Sequence, residues 1–255
     1  PYLAGMIASV VLIGLSAVLP NDARLVVWAI VVVGSLVGWV LLTRFRIEGT
    51  DLGLTPTESL VERFGLFTII VLGEVVVGVV DGISDAERSA IAIATGMIGL
   101  MIGFAFWWTY FDFVGDRHPR SGSSSLTQWI FGHLPVTMSI AATGAAMVSV
   151  VEHATDDRVP EATAWLLAGS VALGLVSLIL IVRSLEAFER IPGVYGPVVG
   201  ALAAASVASL FVGWLRPAPW LLALALVAIL SVVWLFAIGR WVRVGDPQER
   251  VPGTD

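Results

Sequence analysis

The sequence predicts an all-α protein, a polytopic integral membrane bundle of about eight transmembrane helices. Three observations predict that class. Of its 255 residues, 57% are apolar and only 13% are charged, against about 25% charged in a soluble domain. Apolar runs long enough to cross a hydrocarbon core of about 30 Å follow one another along the chain. Turn formers and most of the charges fall between those runs rather than inside them.

The runs are Tyr2–Leu19, Ala23–Leu42, Leu60–Val80, Ser89–Val114, Ser125–Val151, Ala162–Val182, Pro197–Leu215 and Trp220–Val242. Between them stand Pro20-Asn21-Asp22, Gly49-Thr50-Asp51, Asp81-Gly82, Gly115-Asp116, Pro192-Gly193 and Pro217-Ala218-Pro219. No connection is long enough to be a domain of its own. Residues 1–245 therefore read as one transmembrane domain, and 246–255 as a disordered cytoplasmic tail. Ser121-Gly122-Ser123-Ser124-Ser125 is a short flexible tract. Pro1 is not a start methionine, and Tyr2–Leu19 has neither a basic leading segment nor a small-residue cleavage site. The chain reads as a fragment or a processed product.

Arginine placement orients the bundle. Nine arginines (Arg44, Arg46, Arg117, Arg120, Arg183, Arg190, Arg240, Arg243 and Arg250) follow the even-numbered runs. Only four (Arg24, Arg88, Arg158 and Arg216) follow the odd-numbered ones. That bias puts both ends of this chain in the cytoplasm. Asp81, Asp85, Glu87, Glu152, Asp156, Asp157 and Glu161 gather on the opposite side, as a solvated outer surface.

Composition excludes several chemistries. There is no cysteine, and all 14 basic residues are arginine. Disulfides, thiol catalysis and lysine Schiff bases are therefore absent. A net charge of −6 without a basic cluster excludes nucleic acid as a partner. No phosphate loop ending in lysine and no Gly-x-Ser-x-Gly elbow occurs. Three histidines, none at helical pair spacing, suggest no metal site. No cofactor motif stands out, so an enzyme is the weaker expectation. The partners left are the lipid bilayer and an unidentified small solute or ion, with the oligomeric state open.

The polar residues inside the runs are the site candidates. Glu74 interrupts the third run beyond its middle, where an ionised acid costs roughly 2.5–3.5 kcal/mol. Arg63 lies eleven residues earlier, within about 20° of the same helix face and about 16 Å away along the axis. Glu62, Arg63, Asp112 and His133 share a depth on three successive runs. Short loops make such runs neighbours, so these residues are expected to meet in a buried polar cluster with Glu74 deeper on its axis. Trp107, Trp108 and Tyr110 are candidate aromatic lining. Each has a plainer reading. Arg63 and Glu62 can snorkel to headgroups. Asp112 can end its helix beside an aromatic belt. His133 can fill a kink made by Pro135. Gly96, Gly99 and Gly103, with Gly169, Gly174, Gly200 and Ala201–Ala205, indicate close helix packing. The first, second, seventh and eighth runs carry no central charge and read as scaffold or lipid-facing.

The stretch Glu62-Arg63-Phe64-Gly65-Leu66-Phe67-Thr68-Ile69-Ile70-Val71-Leu72-Gly73-Glu74 resembles the hallmark of the bacterial low temperature requirement A (LtrA) family. Trp107-Trp108-x-Tyr110-Phe111-Asp112 and His133-Leu134-Pro135 follow in that family's order. The resemblance covers Leu60 to Val151 and extends to the other runs by hydropathy. It implies a membrane helix bundle corresponding to the C-terminal two-thirds of such a protein, and a link to growth in the cold; it implies no substrate. Arg63-x-x-x-Phe67-Thr68 is also similar to the Arg-x-x-x-Phe-Ser-Asp signature of a potassium-channel family, with Ile69 in place of its aspartate.

Three functions follow as expectations. The first is a proton- or ion-coupled transporter using Glu74, Arg63, His133, Asp112 and Glu62. The second is a non-catalytic membrane scaffold or stress sensor. The third is an intramembrane acid–base enzyme using Asp112, His133 and Glu62.

Overall fold

A computed structural model describes residues 2–45, 57–86 and 89–244. Among these residues there are nine α-helices, one π-helical turn and no strand. The chain separates into two compact units, Pro1–Leu54 and Thr55–Asp255. The tail expected over 246–255 lies outside the described residues.

The first unit holds α1 (Tyr2–Ser16) and α2 (Asn21–Phe45). Asn21 and Asp22 favour a helix start, and Arg24 closes the first turn with its amide on Pro20 O at 2.9 Å. The Trp28 indole N–H donates to Ser16 Oγ at 2.8 Å and so ties the hairpin together.

The second unit holds α3 (Glu58–Asp85), α4 (Ala90–Tyr110), a π turn (Phe111–Gly115), α5 (Ser123–Glu152), α6 (Glu161–Val182), α7 (Glu186–Arg190), α8 (Pro192–Leu215) and α9 (Pro219–Val244). Side chains mark several starts. Thr57 Oγ1 accepts from Leu60 N and Ser89 Oγ from Ala92 N, each at 3.2 Å. Pro192 opens α8, where no amide proton is needed.

Six helices among the described residues are long and apolar enough to cross a membrane: α3, α4 with its π turn, α5, α6, α8 and α9. They close a ring in the order α3–α5–α6–α8–α9–α4, each packing mainly on its two neighbours. Trp129, Tyr110, Phe106, Met147, Leu175 and Tyr195 fill its interior.

The fold class is therefore the one the sequence predicts. The count of eight spans is met by six; the other two runs became α1 and α2. At 15 residues, α1 is only about 22 Å long. Side chains in the later part of α2 lie outside the described residues. Pro135 sits inside α5, which runs unbroken from Ser123 to Glu152. The short α7 was not legible, because five residues carry no helical period.

Helices that alternate in direction put the arginines at one end of this unit. There the 116–122 loop is fastened to the α6–α7 junction. Pro119 and Leu185 form an isolated antiparallel bridge. Arg120 N donates to Ser184 O at 2.8 Å, and Glu186 N to His118 O at 3.1 Å. At the other end Arg216 pairs with Glu161 at 3.2 Å.

Candidate functional site

Helix α3 has two unlike faces. Val61, Gly65, Thr68, Val75, Gly78, Val79 and Gly82 are buried. Glu62, Arg63 and Glu74 are exposed on the other side, among Leu66, Phe67 and Ile70. None of those three charges has a hydrogen bond or ion pair among the described residues. The backbone of Glu74 is nevertheless held firmly. A Cβ on Gly144 of α5 would fall 2.4 Å from Glu74 O, so the two helices cross there with nothing between them. The crossing fixes the depth of the carboxylate while its side chain points outward.

The interior site is built one residue further round. Phe64 follows Arg63, about 100° away on the helix, and its ring lies 4.7 Å from that of His133 and 4.8 Å from that of Trp129. His133 is buried on α5. Its Nδ1 donates to Trp129 O at 2.7 Å, because a carbonyl can only accept. Its Nε2 meets the Tyr110 hydroxyl of α4 at 2.9 Å. Thr68 of α3 lies beside that hydroxyl and donates its own proton to Phe64 O at 2.9 Å. The Trp129 indole N–H is buried without a partner.

With Nδ1 carrying the proton of a neutral His133, Tyr110 donates and Nε2 accepts.

Asp112 lies elsewhere. It falls in the π turn, and its Oδ2 accepts from the Trp234 indole of α9 at 2.6 Å. The ring of Trp234 lies 5.5 Å from that of Trp108. Trp107 and Trp108 are 40% and 44% exposed, so they face outward rather than line an interior path. Tyr110, the third aromatic candidate, is the buried one.

The cluster expected from shared depth is thus not assembled. His133 is joined to Tyr110 and Phe64, Asp112 to α9, and Glu62, Arg63 and Glu74 share the outer face of α3. The reason is angular. Residues one or two apart in a helix diverge by about 100° and 200°. The ninth helix, expected to be scaffold, supplies the partner of Asp112. Trp129 could have been found, standing one turn before His133; Trp234 carried no sequence signal. Among the described residues no three His, Asp or Glu side chains stand close enough to hold a metal.

Comparison with known families adds one finding. Residues 1–236 match the family described as "Bacterial low temperature requirement A protein (LtrA)", well beyond the stretch that carries the motifs. No curated protein and no solved structure matches the chain.

Proposed function

The chain belongs to the bacterial low temperature requirement A family, and from that footing we propose that it is a proton- or ion-coupled transporter of the bacterial inner membrane. Glu74 is the proton- or cation-binding carboxylate in this reading. The observation that supports it is an acid close to the middle of α3, exposed on a helix whose buried side packs against the His133–Tyr110 pair. Helix α3 is about 42 Å long, and Glu74 stands well inside both of its ends. An acid at that depth without a partner is poised to take up a proton or a cation. Arg63, on the same face, biases that uptake through its positive charge.

The test is Glu74→Gln in proteoliposomes, with flux followed across a panel of ions with and without a pH gradient. Gln keeps the shape and loses the titrating proton. Coupled flux should disappear while insertion and thermal stability stay unchanged. A fully active Glu74→Gln protein overturns the mechanism.

A second reading, a non-catalytic membrane scaffold or stress sensor, draws on a different observation. His133 and Asp112 are each satisfied within separate helix contacts. In that case Gln at position 74 is silent and no flux is found for the native protein either. The acid–base enzyme reading lacks an assembled set of groups, since Glu62, Asp112 and His133 face different ways.

A further inference from the structure

The arginine-rich end of the second unit holds a cavity of about 440 Å³, lined by Arg120, Ser121, Ser125, Glu186, Glu189 and Arg190. Its size falls among small-molecule sites, at roughly 300–1,000 Å³. Two guanidiniums and two carboxylates face one space. Arg190 pairs with Glu186 at 3.0 Å, and Arg120 with Glu189. A lone anion entering here meets both acids, and a lone cation meets both arginines. A molecule with both charges, spaced by a short linker, can satisfy both sets at once.

The walls are held in place in advance. Ser121 comes from the 116–122 loop, Ser125 from the first turn of α5, and Glu186, Glu189 and Arg190 from α7. The Pro119–Leu185 bridge and the bonds from Arg120 N and Glu186 N lock these two segments together. Arg120 Nη2 adds a bond to Arg183 O at 2.8 Å, and Gln128 Nε2 one to Leu180 O at 2.7 Å. A fixed wall loses little freedom when a ligand arrives. Donors also remain. Arg190 gives one nitrogen to Glu186 and keeps other N–H groups. The amides that open α5 have no side-chain cap, because Gly122 precedes them. The cavity lies where α5 begins, α6 ends and α8 begins, at the ends of apolar helices long enough to cross a membrane.

We propose that this cavity binds a phosphoethanolamine group, its phosphate on Arg190, Ser121 and Ser125 and its ammonium on Glu186 and Glu189. The source is either the headgroup of phosphatidylethanolamine or the soluble zwitterion.

The test uses the intact protein, purified and stripped of lipid by detergent exchange. One arm supplies phosphatidylethanolamine, phosphatidylcholine or phosphatidylglycerol in mixed micelles and counts lipid retained after washing, by mass spectrometry. The other arm offers soluble phosphoethanolamine and reads binding by calorimetry. Retention of phosphatidylethanolamine over the other two lipids assigns the headgroup; binding of phosphoethanolamine without that retention assigns the soluble source. Arg190→Ala, at an exposed position, should weaken either binding about tenfold, the loss of one charge-assisted contact. The exchanged double variant Glu186→Arg with Arg190→Glu keeps the ion pair and should also lose binding, because the charges are misplaced. Equal retention of all three lipids with no binding of phosphoethanolamine, or undiminished binding in both variants, overturns the proposal.

Discussion

Tyr110 and His133 form a buried polar contact between α4 and α5. Removing the Tyr110 hydroxyl leaves His133 Nε2 in an apolar space with nothing to accept from. Tyr110→Phe should therefore cost about 1–3 kcal/mol of stability, seen as a lower midpoint in thermal unfolding in detergent. If the pair handles protons, flux driven by a pH gradient should fall further than the stability loss explains, and an unchanged flux in folded Tyr110→Phe would exclude that role. These residues were legible as polar groups in the wrong place for a soluble core. What could not be read was which neighbour would claim each of them. Arg63 and Phe64 are adjacent, yet one faces outward and the other touches His133. A rotation of one residue about α3 decides between them, and only the packing of Val61, Gly65 and Thr68 sets that rotation.

At the scale of helices, the closest approach is between α3 and α5. A Cβ on Gly78 would lie 1.9 Å from Gly144 O, and one on Gly82 would lie 2.9 Å from Val151 Cβ. Backbone atoms cannot step aside as a flexible side chain can. Gly78→Ala or Gly144→Ala should drive the two helices apart and cost about 1–3 kcal/mol. Gly169 and Gly200 have nothing near them. Alanine there should be neutral or stabilising by up to about 1 kcal/mol, through helix propensity. Thermal unfolding of the four variants checks the contrast; equal behaviour would remove the crossing as the organising contact. The sequence marks Gly96, Gly99, Gly103, Gly169, Gly174 and Gly200 as a packing set. Some of these fit that reading. Gly174 faces Phe106 and Ser139, and Gly99 faces the Met147 side chain. The tightest pair, Gly78 with Gly144, joins two runs that the sequence cannot align, because a glycine reveals that something comes close but not what does.

For the whole molecule, hydropathy carried the class, since it depends on residue type alone. The ring order could not be read, and with it went the partner of Asp112. Short loops suggested α3, α4 and α5 as mutual neighbours, and each pair of them does pack; that α4 packs still more on α9 is what the loops do not reveal. The orientation is the last expectation to test. Arg117, Arg120, Arg183, Arg190, Arg240 and Arg243 stand at one end of the second unit and Arg158 and Arg216 at the other. The positive-inside bias predicts that the first end faces the cytoplasm. The native chain has no cysteine, so single cysteines report cleanly. Gly122 is unsuitable, since its φ of 125° strains any other residue. Ser121 and Thr155 are exposed loop positions at opposite ends. In intact cells an impermeant maleimide should label Thr155→Cys and leave Ser121→Cys untouched until the membrane is permeabilised. The reverse pattern would invert the bundle. It would place the phosphoethanolamine cavity on the outer side and require any proton on Glu74 to travel in the opposite sense.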